Sequence, residues 1–227
     1  EIRIKLNLSQ EVFSKILGWS KKSIVRYENS DSVPQGEYLN TYMILNENPY
    51  YIVKLLERQK NNFTEEEYYK ILSILPFSKV YKTVNTILYL LKNNKLCETS
   101  LMKHLFAVDF YNCKENKEAI TNLKYAHLLY GPVVDNRNIL YNFLIKNDYI
   151  KIEINDISTN FTTDKDFDKK LFTKEELNSM KLIKYKFKEY SASELSDWSH
   201  SFKGYIDTKN GEIIDYKYAK YLDIDNI

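Results

Sequence analysis

The sequence predicts a mainly α-helical protein with small β elements, organised as two domains. Its length of 227 residues fits one large domain or two smaller ones. Helix-capping residues recur ahead of apolar side chains spaced at i, i+3 and i+4, whereas the β-forming runs are few and short. Hydrophobic residues make up 44% of the chain and aromatic residues 15%, which supplies material for a core and argues against a disordered chain.

A capped pair of short helices is predicted near the start of the chain. Ser9 is placed as the N-cap of a first helix, and Gly18 supplies a backbone that can turn at positive φ. Ser20 is placed as the N-cap of a second helix, which turns Ile24 inward and a basic side outward. Two short helices joined by a tight glycine turn are the helix-turn-helix unit.

This stretch, "LSQEVFSKILGWSKKSIVRYENS", resembles the Xre/Cro-type helix-turn-helix family, and more narrowly its antitoxin regulators, over the whole motif. The resemblance implies a five-helix domain over residues 1–60, with the start of the second motif helix in the DNA major groove. It implies DNA contacts by Ser9, Gln10, Ser20, Lys21, Lys22, Ser23 and Arg26. Ser9 and Gln10 would hold the phosphate backbone, and Arg26 is the best candidate for a guanine. Such domains usually bind as dimers on two half-sites, so a homodimer is expected.

The charge of the chain is local rather than global. The formal net charge is only +2, but residues 1–26 hold six basic and two acidic side chains, an excess of four positive charges. Any nucleic-acid interaction must therefore rest on this basic patch. The alternative interpretation is a solvated basic face on an ordinary helical hairpin.

A connector is predicted over residues 61–81, where Thr64 and Glu67 form a capping box that opens a short helix. The second domain is predicted over residues 82–227. "KTVNTILYLLKNN" has the apolar spacing of a buried helical stripe, and "SLMKHLFAVDFYNCK" predicts a helix with one apolar face. Tyr125 to Leu129 is predicted as an extended segment that ends at a Tyr-Gly-Pro turn, and "YKYAKYL" as a final helix.

The segments "ILYLLKNNKLCETSLMKHLFAVDFYNCKENKEAITNLKYAHLLYGPVV" and "SELSDWSHSFKGYIDTKNGEIIDYKYAKYL" resemble the Panacea (SocA-like antitoxin) domain. Its distinctive Tyr-Gly-Pro and Lys-Asn-Gly-Glu-Ile-Ile parts are both intact. The resemblance implies the antitoxin of a type II toxin–antitoxin system, which neutralises a toxin encoded beside it by direct binding. The helix-turn-helix domain would then repress the shared promoter.

Aromatic side chains in the Panacea-like segments are the candidate toxin contacts, because tyrosine and tryptophan are typical anchors of protein interfaces. They are Phe106, Phe110, Tyr111, Tyr125, Tyr130 and Trp198. Two alternative functions stay open at this point. One is a phage- or host-type transcription regulator without a toxin, and the other is a proteolytic adaptor that hands a bound toxin to an ATP-dependent protease.

Nothing in the sequence predicts an enzyme, a metal site or a cofactor. It has three isolated histidines and two cysteines outside any C-x-x-C pair, and it lacks the motifs of nucleophilic, metal-dependent or nucleotide-dependent catalysis. The two cysteines predict a reduced, cytoplasmic setting. No apolar run approaches the length of a membrane span. The chain begins with Glu1, which is compatible with a preceding segment; some relatives carry a zinc-binding module of C-x-x-C pairs there.

Overall fold

The computed structural model describes residues 2–29, 32–75, 78–135, 137–154 and 158–225. The chain divides into two compact units, Glu1–Ser78 and Lys79–Ile227. It is mainly α-helical with a few short antiparallel strands, which confirms the predicted fold class. The domain limits 1–60, 61–81 and 82–227 stay a prediction. By packing, most of the predicted connector belongs to the first unit.

The described residues of the first unit form helices joined by turns and loops, without a strand. Its elements are α1 (Ile2–Lys5), α2 (Gln10–Leu17), α3 (Lys21–Glu28), α4 (Glu37–Glu47), α5 (Tyr51–Arg58), a 3₁₀ turn (Lys60–Asn62) and α6 (Glu65–Ile74). Helices α2 and α3 form the predicted helix-turn-helix, and α5 packs against α2. The side chains of Phe13, Ile16 and Ile24 are completely buried, so the inner faces of α2 and α3 share one core.

Local hydrogen bonds set the limits of these helices. The Ser9 hydroxyl accepts from the backbone N–H of Val12 at 3.2 Å, which caps α2 as predicted. Gly18 ends α2 at φ 70°, and its N–H returns to the last turn of the helix. Thr64 and Glu67 form the predicted capping box of α6 with reciprocal hydrogen bonds of 3.2 and 2.9 Å.

The second unit surrounds one central helix. Its helices are α7 (Ser78–Leu91), α8 (Glu98–Asn116), α9 (Arg137–Lys146), α10 (Lys174–Lys186), α11 (Ala192–Ser201) and α12 (Lys203–Ile206), with 3₁₀ segments at Lys169–Leu171, Phe187–Glu189 and Tyr216–Tyr221. Helices α10 and α11 and the last 3₁₀ segment pack on α8. Helix α8 is therefore buried around most of its circumference, whereas the sequence predicted one apolar face.

The strands form two small antiparallel sheets. They are β1 (Leu96–Cys97), β2 (Tyr125–Leu128), β3 (Gly131–Val134), β4 (Lys151–Ile154) and β5 (Thr159–Thr162). One sheet has the order β1-β5-β4, and the other is the hairpin β2–β3. On its outer side β2 also pairs with a later segment through the bridge between Ala126 and Ile213. The predicted extended segment is thus the strand β2, at the centre of three paired segments.

The predicted final helix is a 3₁₀ helix rather than an α-helix. Tyr216, Ala219 and Leu222 are spaced by three residues, which places them on one face of a helix with three residues per turn. Ala219 and Leu222 are buried, and the Tyr216 ring lies 4.7 Å from that of Phe110 on α8. Packing of this three-residue stripe on α8 explains the tighter helix.

Candidate functional site

The N-terminus of α3 is suited to face an anion. Ser20 caps it by accepting from the N–H of Ser23 at 3.1 Å, and the two hydroxyl oxygens lie 2.9 Å apart. The first turn of α3 has no acidic residue. The partial positive charge of this helix end is therefore not offset by a carboxylate within its own first turn.

Three exposed cations follow from that turn along α3. Lys21, Lys22 and Arg26 are all exposed. The guanidinium carbon of Arg26 lies 5.2 Å from the centre of the Tyr27 ring, which supports the side chain along its length. Among the described residues, none of the three cations pairs with a carboxylate. Their charges are available to an external polyanion.

The two predicted phosphate-contacting residues are placed differently from each other. Ser9 is exposed at the N-terminus of α2, where its hydroxyl serves as the cap. The side-chain amide of Gln10 donates to a carboxylate oxygen of Glu28 at 2.7 Å. Gln10 must exchange this bond to contact DNA with its amide, whereas Ser9 already faces outward. Both phosphate contacts stay predictions.

An aromatic cluster supports α3 from behind. Trp19 lies 4.6 Å from Tyr38 and 5.4 Å from Tyr42, measured between ring centres, and Tyr27 lies 5.7 Å from Tyr38. These rings join the turn, α3 and α4 into one packed group. Neither Trp19 nor Tyr38 was predicted to belong to such a cluster. The position of Trp19 directly after the turn glycine was the available signal.

In the second unit, a buried carboxylate joins distant parts of the chain. Asp109 on α8 accepts from the backbone N–H of Thr121 at 2.7 Å and also from its hydroxyl. The Tyr125 hydroxyl donates to the same carboxylate at 2.8 Å, and the Tyr216 hydroxyl lies 3.1 Å from it and 2.7 Å from the carbonyl oxygen of Leu123. Burial raises the pKa of Asp109 despite these hydrogen bonds, which act in the opposite direction.

A buried lysine lies beneath the β2–β3 turn. Lys103 is fully buried, and its ammonium donates to the carbonyl oxygen of Pro132 at 3.0 Å. Burial lowers the pKa of Lys103 to about 7. Neither Lys103 nor Asp109 was singled out from the sequence. Both are charged residues inside the otherwise apolar run "LMKHLFAVDF", which was the signal that could have found them.

Comparison with protein families gives two matches along the chain. Residues 1–41 match a family described as "Helix-turn-helix". Residues 101–205 match "Antitoxin SocA-like, Panacea domain". The chain carries a Panacea domain behind a helix-turn-helix domain. Neither the curated proteins nor the solved structures give a match to it.

Four of the six predicted toxin contacts are core residues of the Panacea domain. Phe106, Phe110 and Tyr125 are completely buried, and Trp198 is 6% exposed. Phe106 and Phe110 pack at 4.5 Å between ring centres, and the Trp198 indole N–H donates to the carbonyl of Asp223 at 2.7 Å. These four side chains lie in the core rather than at the surface of this fold, and their contact with a toxin stays a prediction. They are aromatic because they fill the space around α8.

The other two predicted contacts remain accessible. Tyr130 is exposed in the turn between β2 and β3, and Tyr111 is half-buried on α8. Their contact with a toxin stays a prediction. In the part of the chain that the structure describes, no group of three or more His, Cys, Asp or Glu side chains is arranged to hold a metal ion. None of the described helices has both the length and the apolar character that crossing a membrane requires.

Proposed function

We propose that this protein is the antitoxin of a type II toxin–antitoxin pair. The Panacea domain would neutralise a cognate toxin by direct binding, and the helix-turn-helix domain would repress the operon that encodes both proteins. Support comes from one association above all: a capped helix with three exposed cations occurs in the same chain as a match to a SocA-like antitoxin domain. We assign no catalytic role, and operator binding would place the protein in the cytoplasm.

The geometry of α3 supports one mode of DNA binding. Lys21 and Lys22 stand in its first turn, so the start of the helix would face the base edges and the phosphates of a major groove. Arg26 would reach one guanine. We further propose that two copies of the chain bind two half-sites, because one short helix reads few base pairs.

The test uses the full-length chain and the product of the adjacent gene. We expect the two proteins to co-purify, and expression of this chain to restore growth to cells that express that product. We also expect the chain to retard a DNA fragment carrying its own promoter, with an affinity that falls steeply as salt rises. Promoter binding without any bound or toxic neighbour would instead support a regulator that has no toxin.

A further inference from the structure

The turn between β2 and β3 presents two large side chains to solvent. Leu129 and Tyr130 form the turn, and their exposed fractions are 75% and 67%. Leu128 and Gly131 pair across the hairpin on either side of them. A large apolar side chain alone on a surface is ordinary, but two adjacent ones at a projecting turn form a compact apolar tip.

Three helices hold the backbone of this turn through alternate carbonyl groups. Tyr205 on α12 donates its hydroxyl to the carbonyl of Leu128 at 2.9 Å. Ser196 on α11 donates to the carbonyl of Tyr130 at 3.0 Å, and the Lys103 ammonium on α8 donates to that of Pro132 at 3.0 Å. A side chain on a turn held in this way loses little backbone freedom when it binds, which is the condition for a preorganised contact.

Close packing beneath the turn adds to this restraint. Gly131 has φ 93°, and a Cβ atom at this position would lie 2.2 Å from the Ser199 hydroxyl and 2.9 Å from the Lys103 ammonium nitrogen. On the outer side of β2, His127 exchanges backbone hydrogen bonds of 2.9 and 2.8 Å with Glu212 and Gly211. The hairpin is therefore held from below and from one edge, while the side chains of Leu129 and Tyr130 at its tip are exposed.

The tip also lacks a charged side chain. The segment Tyr125–Val134 contains no Asp, Glu, Lys or Arg, and its two exposed residues are Leu129 and Tyr130, whereas the other eight are buried or half-buried. Depletion of charge at the centre is the compositional mark of a protein interface, and tyrosine is enriched there. The surface that covers this tip must then be uncharged and apolar at its own centre.

The exposed area of the tip indicates what kind of partner can bind it. Leu129 and Tyr130 expose roughly 250 Å² of side chain, given the usual area of an aromatic residue. A stable interface needs about 800 Å² from each partner. Two tips from two copies of this chain would cover each other far too little. A concave pocket that encloses the tip and continues around it meets the requirement.

We propose that Leu129 and Tyr130 form a preorganised knob that inserts into an apolar pocket of the cognate toxin. This inference rests on the proposed function, of which it names the contact. Lys103, Ser196 and Tyr205 are positioning residues, because each acts on the toxin through the turn that it holds.

The test measures the affinity of the full-length chain for the product of the adjacent gene. Leu129→Ala and Tyr130→Ala should each weaken binding about 30-fold or more, as expected of central interface residues. Two exposed side chains elsewhere in the same unit serve as matched controls: Ile139, 70% exposed, and Tyr185, 76% exposed. Ile139→Ala and Tyr185→Ala should change the affinity by less than about threefold.

A separate measurement tests the positioning role of Tyr205. Tyr205→Phe removes only the hydroxyl that holds Leu128, so it should leave the knob in place and weaken toxin binding about threefold to tenfold through the freed turn. Hydrogen exchange at the turn should be faster in this variant, while promoter DNA binding stays unchanged.

Two negative results are distinguishable. If the unaltered chain does not bind the product of the adjacent gene, the proposed function and the knob are both overturned. If the unaltered chain binds it and both knob variants bind as tightly, only the knob is overturned.

Discussion

Arg3 holds Glu28 with two hydrogen bonds, from its Nε atom to Oε1 at 2.6 Å and from its Nη2 atom to Oε2 at 3.0 Å. This pair joins α1 to the last turn of α3, and the Gln10 amide from α2 adds a third bond to the same carboxylate at 2.7 Å. Both side chains of the ion pair are largely buried, with exposed fractions of 18% and 20%. One carboxylate therefore joins the proposed DNA-reading helix to both α1 and α2.

Glu28→Gln should destabilise the first unit by about 1–3 kcal/mol, because the partly buried guanidinium of Arg3 loses its counter-charge. The hydrogen bonds of Arg3 hold the pKa of Glu28 below its usual value of 4.5. The ionised carboxylate therefore stabilises the folded unit fully at pH values above the usual pKa. This stabilisation is lost as the pH falls through the lowered pKa of the folded state.

Urea unfolding between pH 3 and pH 7 measures both effects of this substitution. We expect the difference between the variant and the unaltered chain to shrink at the acid end. Glu11→Gln is the control, since Glu11 pairs with Lys15 at 3.9 Å in an exposed position and should matter by no more than about 0.5 kcal/mol. A difference that does not depend on pH would contradict the role of the Glu28 charge.

Arg26→Ala and Lys22→Ala should weaken promoter binding without unfolding the protein, because both side chains are exposed and neither pairs with a carboxylate among the described residues. Arg26→Ala should also relax the preference at one base position by about 1–3 kcal/mol if its contact with guanine is bidentate. Lys70→Ala, an exposed lysine on α6, is the matched control. An unchanged footprint for both variants would place recognition elsewhere.

Asp109→Ala should destabilise the second unit by about 3 kcal/mol or more, because it leaves the N–H and the hydroxyl of Thr121 and the buried hydroxyl of Tyr125 without their acceptor. Asp109→Asn should cost less, since an amide oxygen still accepts and the tyrosine hydroxyls can turn to accept in exchange. Hydrogen exchange of the α8 amides separates this unit from the other one. Equal effects of the two substitutions would argue against a hydrogen-bonding role.

Lys103→Met should raise the free energy of unfolding of the second unit. The increase should be largest at or below pH 7, because there the unaltered protein buries an ammonium ion. The folded-state pKa of Lys103 is about 7, against 10.5 for the exposed side chain. Between these values the unfolded chain binds more protons than the folded one, so the unaltered protein gains stability with rising pH, by up to about 1.4 kcal/mol per pH unit.

The advantage of the methionine variant should therefore shrink from pH 7 toward pH 10. Thermal unfolding at pH 6, 7.5 and 9 measures it. Lys181→Met, at an exposed position of α10, is the control and should show no such trend. A constant difference between the Lys103 variant and the unaltered chain would mean that the lysine does not titrate between the two pKa values.

Much of the local structure was predictable because its causes lie within a few residues. Ser20 caps α3 through a bond to a residue three positions ahead, and Gly18 supplies the positive φ of the turn. The same holds for the capping boxes of Thr173 and Ser191 in the second unit. The basic side of α3 is also a local property, since helical periodicity alone places Lys22 and Arg26 outside.

The choice between core and surface aromatic residues was not predictable in the same way. Phe106 and Trp198 were expected at a partner surface, yet they pack 6.2 Å apart, between ring centres, within the core. Tyrosine and phenylalanine suit a core and an interface equally well, so composition and spacing do not separate the two. Whether an aromatic side chain lies in the core or at the surface depends on which elements cover each face of α8.

By itself, then, the sequence determined most of the helices, several of their caps, the fold class and the two family resemblances, because these depend on neighbouring residues and on short motifs. Only the tertiary structure decided which charged and aromatic side chains lie in the core and which groups they contact there. Asp109 meets Tyr216 across 107 positions of the chain, and Lys103 meets the carbonyl of Pro132 across 29. Such contacts exist because chain segments distant in sequence pack on one helix. A local sequence pattern therefore does not predict them.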